Sequence, residues 1–244
     1  MLNKKSFFKK HLFIFFLLIL LFTSSAINSY AQSSKAIIID QTCTDISQIP
    51  PYWIEQAKLL TLHYAHTSHG SQVTSGIENL ESQHPIYSIA IRESTTEGLP
   101  PLETPSALRI YDGNPPETYI SPEAYWQGDS ALNRTRAVAN TGNYKYSMWS
   151  WCGEVSWSTE AYIDQYLNAM NILKNEYPNM RFIYMTGHLD GSGSSGKLHT
   201  NNERIRAYCI ANNKVDLFRK DIGLLQGTLA VSAFVDQLLI GKLE

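Results

Sequence analysis

The residues best suited to chemistry lie in HYAHTSHGSQ (63–72), between an apolar stretch and an amphipathic one. A hydroxyl on such a turn faces solvent, and the amides that open the next helix point outward as an oxyanion site. We therefore predict that Ser68 is a nucleophile and that His69 and Gly70 contribute to the substrate or oxyanion site. The alternative is that Ser68 is a helix-capping serine, although Ser71 is the better cap.

A second group of candidate residues lies in MTGHLDG (185–191), after another apolar run. His188 and Asp190 occupy a turn flanked by glycines, beside the GSGSSG stretch. We expect His188 to act as a base, with Asp190 as its orienting partner or as a substrate contact. The alternative is a chance pair in a polar loop.

The third candidate segment is WSWCGE (149–154). Gly153 permits close approach to the backbone, and Glu154 brings an acid to the same rim, so we predict that both contribute to the substrate or oxyanion site. Trp149 and Trp151 alternate along a strand and share one face, a pattern more typical of a core than of a ligand platform.

Histidines and cysteines do not predict a metal site or any cofactor. His63, His66 and His69 are spaced three apart, which converges on a helical face, whereas here the spacing spans a strand end and a turn. The cysteines are odd in number, none has a CxxC neighbour, and a buried, inert thiol is the plainest interpretation of each. They are Cys43, Cys152 and Cys209.

Hydrophobic periodicity predicts strands that alternate with helices. This pattern favours an α/β fold, a three-layer helix-sheet-helix sandwich with a mainly parallel sheet whose ligands bind at the carboxyl ends of the strands. The predicted strands are 58–65, 86–91, 146–151, 181–186 and 214–218. The predicted helices are 71–81, a helix from about Ser158 to Tyr177, and one capped by Thr200 and Glu203 that stops at Asn212-Asn213.

The stretch 92–143 is rich in Pro, Gly, Thr and Tyr, and it predicts a loop-rich insertion that walls the substrate site. Its tyrosines and Trp126 have the chemistry to stack on sugar rings, and the alternative is that they pack the loop against the sheet. Gly128-Asp129-Ser130 spells a known esterase signature, but it does not follow an apolar strand, so we assign it no role.

The chain has 244 residues and a formal charge of −2. A basic start followed by eleven apolar residues, Leu12 to Phe22, predicts a secretory signal peptide cleaved after Ala31. We expect a secreted single domain, 32–244, with no stable membrane anchor after cleavage. Loss of the four leader lysines leaves a charge of −6, and no basic cluster remains, which argues against a nucleic-acid partner.

Four segments together resemble a group of secreted bacterial proteins related to the SGNH/GDSL hydrolase superfamily. They are YDGNPPETY, RAVANTGNYKYSMWSWCGE, YPNMRFIYMTGHLDG and NNERIRAYCIANNKV, and the likeness spans about residues 50 to 222. The resemblance implies a flavodoxin-like sheet, Ser68 as the nucleophile, and Gly153 in the third-strand oxyanion segment. It also implies esterase activity on an extracellular substrate such as an acylated carbohydrate.

Three departures from that pattern bear on activity. Ala-His-Thr precedes Ser68 where the superfamily has Gly-Asp, WCGE replaces GxND, and no His follows His199. We expect the atypical tail, 223–244, to replace the family C-terminus through truncation or a change of reading frame, which would leave the enzyme inactive. The alternative functions are a non-catalytic extracellular carbohydrate-binding or cell-surface protein, and a secreted zinc protein.

Overall fold

Parallel strands form a single sheet within the residues that the computed structural model describes, which are 36–40, 45–93, 98–102 and 106–217. The strand order is β1-β7-β6-β5-β2-β4-β3, and each neighbouring pair is parallel. The strands are β1 (Ile37–Ile39), β2 (Thr61–His66), β3 (Ile89–Glu93), β4 (Leu108–Asp112), β5 (Tyr146–Ser150), β6 (Arg181–Met185) and β7 (Val215–Leu217).

Helices fill most of the connections between these strands. They are α1 (Pro51–Ala57), α2 (Ser71–Gln83), α3 (Pro122–Tyr125), α4 (Gly128–Asn140), α5 (Glu160–Glu176) and α6 (Lys197–Ala211). Thr159 begins α5 by accepting a hydrogen bond from the Tyr162 amide, as expected of an N-cap threonine. None of the helices described is long and apolar enough to cross a membrane.

The direction of each crossover assigns the helices to two faces of the sheet. The connections that carry α1 and α2 run toward the β3 edge, whereas those that carry α4, α5 and α6 run toward the β1 edge. Because such crossovers are right-handed, the two sets cover opposite faces. Contacts between α4 and α5 and between α5 and α6 agree with this arrangement. The predicted three-layer α/β fold is confirmed.

The predicted loop-rich insertion contains regular structure that the sequence pattern does not show. Within 92–143 lie β4, α3 and α4, and the Gly128-Asp129-Ser130 triplet is the first turn of α4. The β4 sequence, LRIYD, is short and interrupted by Arg109, so its local pattern is weak. Pairing with β2 on one side and β3 on the other makes it a strand.

The start of α6 also differs from the prediction. The helix begins at Lys197 with Gly196 as its N-cap residue, so Thr200 lies one turn inside the helix and does not cap it. A Cβ at Gly196 would lie 1.9 Å from Ser192 Oγ, so close packing favours glycine at the N-cap. The signal peptide, Cys43 and the tail (223–244) lie outside the described residues.

Buried aromatic side chains connect the 114–127 segment to the sheet and to α5. The Trp126 ring makes edge contacts with Trp149 and Trp151 at centroid distances of 6.1 and 5.8 Å, and with Tyr166 at 5.7 Å. Trp149 and Trp151 are fully buried, and their indole N–H groups donate to the carbonyls of Ile120 and Met185. The prediction that Trp149 and Trp151 are core residues is confirmed.

A buried polar network joins β2 and β5 to the turn after β4 and to α3. His63 Nε2 lies 2.9 Å from the Gly113 carbonyl, so Nε2 carries the proton and Nδ1 accepts from Ser147 Oγ at 2.8 Å. The Ser147 hydroxyl in turn lies 2.5 Å from Tyr125 Oη. Burial lowers the pKa of His63 from 6.5 to about 4, so the ring is neutral at physiological pH.

Replacing Trp126 with alanine should destabilise the fold by about 3 to 5 kcal/mol, because it empties a fully enclosed aromatic site. Urea denaturation would measure the change in the free energy of unfolding. Tyr119→Ala is the matched control, since that ring is 63% exposed and its loss should change stability by no more than about 0.5 kcal/mol. Equal effects of the two substitutions would contradict the assignment of Trp126 to the core.

The free energy of unfolding should fall as the pH drops from about 6.5 toward 4. The pKa of His63 is lower in the folded state, so the unfolded chain binds a proton more readily over that interval. The loss of stability reaches about 3 kcal/mol below pH 4, and there is no loss above pH 6.5. Urea denaturation across this range should show a shallower pH dependence in His63→Gln, with exposed His84→Gln as the control. If His63→Gln shows the same pH dependence as the wild-type protein, His63 is not the group responsible.

Candidate functional site

The candidate site lies where β2 and β5 end, next to the end of β6. The chain leaves β2 toward the β3 edge and returns to form β5 on the other side of β2, so the strand order reverses between them. Such a reversal opens a crevice at the carboxyl ends of parallel strands, where α/β proteins bind their ligands. The turns that follow these strands therefore supply the candidate side chains.

Three half-buried side chains meet at this edge, one from each strand end. His69 Nδ1 lies 3.0 Å from Cys152 Sγ, and the imidazole rings of His69 and His188 stack with centroids 4.0 Å apart. One ligand atom from each residue lies within 4.8 Å of the others. We call these three residues the His-Cys-His cluster. It offers a nucleophile beside a base, or three ligands for a metal ion.

His69 is positioned by a turn that has no room for a larger neighbour. A Cβ at Gly70 would lie 2.1 Å from the His66 Cβ atom, so only glycine fits there. Tyr64 Oη donates to the Gly70 carbonyl at 2.7 Å. Gly70, predicted to contact substrate or form an oxyanion site, is buried, and the contacts described for it are packing and backbone contacts.

Cys152 follows β5 and is held by its own turn. Its amide donates to Glu154 Oε2 at 2.7 Å, so Glu154 orients the backbone that carries the thiol. Gly153 lies under the ring of Trp157, which a Cβ would approach to 2.7 Å. Trp157 is 65% exposed, so a large indole face lies open at the rim beside the cluster. Glu154 and Gly153 thus adjoin the site in supporting positions, and their contribution to a substrate or oxyanion site stays a prediction.

The turn that carries His188 is fixed from α6. Asn202 accepts from the Gly187 amide at 2.8 Å and donates to the Gly187 carbonyl at 3.2 Å, and it is buried. His188 Nδ1 lies 2.8 Å from the Leu189 carbonyl, so Nδ1 carries a proton. The Nε2 atom therefore carries the lone pair.

Ser68 and Asp190 do not form the predicted triad with His188. Ser68 is exposed, and its carbonyl accepts from the Ser71 hydroxyl at 2.8 Å. Asp190 Oδ1 instead accepts from the amide and hydroxyl of Ser192, which lowers the pKa of Asp190. The Asp190 carboxylate therefore stabilises an exposed turn, while a backbone carbonyl orients His188. Neither Ser68 nor Ser71 caps α2 through its side chain.

Two further predictions concern tryptophan and the spaced histidines. Trp126 is 2% exposed, so its ring has no face for a sugar, and the prediction that it contacts substrate is wrong. The alternative, that it packs its loop against the sheet, is the one observed. His63, His66 and His69 do not converge, because the first lies in the buried network and His66 contacts the Asp112 carboxylate at 3.1 Å.

The residue that sequence reasoning undervalued is Cys152, which we expected to be an inert buried thiol. It is half-buried and carries no disulfide. The signal that identifies it is its position, directly after a central strand at the edge where ligands bind.

A cavity of about 670 Å³ lies next to the His188 loop, but His69 and Cys152 do not line it. Charged side chains of both signs line it, among them Asp190, Glu203 and Arg206. The His-Cys-His cluster is therefore a separate feature, at the crevice between β2 and β5.

Comparison with known protein families, with curated proteins and with solved structures found no match to this chain.

Proposed function

We propose that this chain is a secreted hydrolase of acyl esters whose catalytic centre is the His-Cys-His cluster. The observation that carries the proposal is the 3.0 Å contact between His69 Nδ1 and Cys152 Sγ, with the His188 ring stacked on the first imidazole. These groups come from three different strand ends and meet at the reversal of strand order. Secretion rests on the leader segment, and the ester class rests on the resemblance described above.

The contacts favour this centre over a Ser68-His188-Asp190 triad. A serine triad requires a base bonded to the hydroxyl and an acid bonded to the base. Here the Asp190 carboxylate binds the Ser192 turn, and His188 Nδ1 faces a carbonyl. In the cluster, in contrast, His69 contacts both the Cys152 thiol and the His188 ring before any substrate arrives. The proposal also needs no histidine from the C-terminal tail.

Exposed aromatic rings near the cluster support an acylated carbohydrate as the substrate class. Trp157 lies beside Cys152, and Tyr119 pairs with His66 at the end of β2, where it is 63% exposed. Flat indole and phenol faces stack on the apolar faces of sugar rings. Both residues therefore lie at the carboxyl edge of the sheet, the edge that carries the cluster.

The same rings also support a second function, the non-catalytic binding of an extracellular carbohydrate. In that case glycan binding would survive Cys152→Ala, fail in Trp157→Ala, and occur without turnover of any acyl ester. Calorimetry with an acetylated xylo-oligosaccharide, combined with assay of released acetate, separates the two functions.

Cys152→Ala and His69→Ala should each lower kcat/KM for p-nitrophenyl acetate by at least about 100-fold, since each removes a group at the reacting centre. Ser68→Ala should lower it by no more than about 3-fold. Cys209→Ala is the matched cysteine control, because that residue lies within α6 and outside the cluster. If Ser68→Ala abolishes activity while Cys152→Ala retains it, the serine mechanism is correct and this proposal is wrong.

Trp157→Ala should raise KM for an acetylated xylo-oligosaccharide by about 10-fold and leave kcat nearly unchanged, because stacking acts alike on substrate and transition state. With p-nitrophenyl acetate, which has no sugar ring, the same variant should behave as wild type. Initial-rate kinetics on both substrates measure the difference. Equal losses on both substrates would show that the indole supports the cluster instead of the sugar.

A further inference from the structure

We propose that the His-Cys-His cluster binds a zinc ion through His69 Nδ1, Cys152 Sγ and His188 Nε2. Binding itself is independent of the proposed hydrolase function, and only the catalytic use of the ion rests on it. One ligand atom of each residue lies within 4.8 Å of the ligand atoms of the other two. One thiolate and two imidazoles are ligands that zinc prefers, and three protein ligands leave the fourth position open for water, as in catalytic zinc sites.

The tautomer of His188 suits it for a ligand. Its Nδ1–H donates to the Leu189 carbonyl at 2.8 Å, which leaves the lone pair on Nε2. Metal-binding histidines commonly make this bond, since it fixes the ring orientation and raises the basicity of the other nitrogen. Asn202 holds the backbone of the preceding residue through both its amide and its carbonyl.

The geometry of the other two donors needs only a small adjustment. Their separation is 3.0 Å, a hydrogen-bond distance between His69 Nδ1 and Cys152 Sγ. Around tetrahedral zinc the same two atoms would stand about 3.5 Å apart, given ordinary bond lengths. Entry of the ion therefore requires loss of the thiol proton and a separation of about 0.5 Å. Both side chains are half-buried, so solvent and ions reach them.

Two other histidines nearby show how different this cluster is. His63 uses both ring nitrogens in the buried network, toward Ser147 and Gly113. His66 likewise faces the Thr67 carbonyl and the Asp112 carboxylate. Those rings serve structural bonds, whereas His69 Nδ1 contacts the Cys152 thiol and the His188 ring stacks on His69. A single nucleophilic cysteine needs one imidazole as its base, and the stacked second imidazole is explained by metal binding.

For the proposed hydrolase, the ion would supply the attacking water. The oxygen of a zinc-bound water forms a bond to the acyl carbon, and the bond from that carbon to the alcohol oxygen breaks. One proton of the water goes to the departing alcohol and the other to solvent, which yields a carboxylate and an alcohol. The reaction needs no oxidant or reductant.

The test uses purified protein from which metal has been stripped with 1,10-phenanthroline, then titrated with Zn²⁺ alone. Calorimetry and elemental analysis should give about one zinc per chain. Replacement by Co²⁺ should produce a thiolate-to-cobalt charge-transfer band. Cys152→Ala and His188→Ala should weaken zinc binding by on the order of 100-fold, whereas Cys209→Ala and His84→Ala should leave it unchanged.

Measurements on the wild-type protein keep the proposal testable if the variants fold poorly. Saturating Zn²⁺ should slow alkylation of Cys152 by iodoacetamide, as followed by peptide mass spectrometry. Substoichiometric zinc, absence of the cobalt band, or alkylation at the same rate with and without Zn²⁺ would each overturn the site.

The outcomes also separate this inference from the proposed function. Stoichiometric zinc without ester hydrolysis supports the site and refutes the hydrolase. Hydrolysis by metal-free protein that iodoacetamide abolishes supports the hydrolase, with Cys152 as its nucleophile, and refutes the catalytic use of the ion, whereas the zinc titration alone decides the site.

Discussion

The pairing of β2 with β5 is the contact on which the rest of the site depends. Every residue of β2 is buried, and its register aligns Leu62 with Tyr146 and His66 with Ser150. Because the two strands end at the same level, the turns that follow them begin side by side. The 3.0 Å contact between His69 and Cys152 is thus a consequence of sheet register, although the residues lie 83 positions apart.

The layers around this pair are held in place by two different kinds of interior. On one side of the β5 backbone, tryptophan and tyrosine rings pack edge to face and anchor the 114–127 segment. Between the strands, His63, Ser147 and Tyr125 form hydrogen bonds that tolerate no charge. The apolar contacts contribute stability. The polar contacts specify the register of the strands, because a shifted register would leave buried hydrogen-bonding groups unsatisfied.

Much of this architecture could be predicted from local patterns. The five predicted strands all exist, and their alternation with helices was enough to predict the parallel, three-layer fold. The strands missed were β1 and β4, which are short and owe their conformation to neighbouring strands. The site was only partly predictable. The segments around His69, Cys152 and His188 follow from the rule that ligands bind at the carboxyl ends of parallel strands, but which side chains meet depends on rotamers and turns. The burial of Trp126 could not be predicted, since an aromatic residue in a polar stretch has the same sequence signature whether it is buried or exposed.

The three turns at the carboxyl edge share one arrangement, in which a side chain from the fold holds the backbone beside each cluster residue. Tyr64 holds the Gly70 carbonyl, Glu154 holds the Cys152 amide, and Asn202 holds both polar groups of Gly187. The conformational entropy of these turns is therefore lost when the chain folds, before any ligand binds. A ligand of the cluster consequently has little left to order beyond the torsions of three side chains, so its affinity reflects mainly the bonds that it forms.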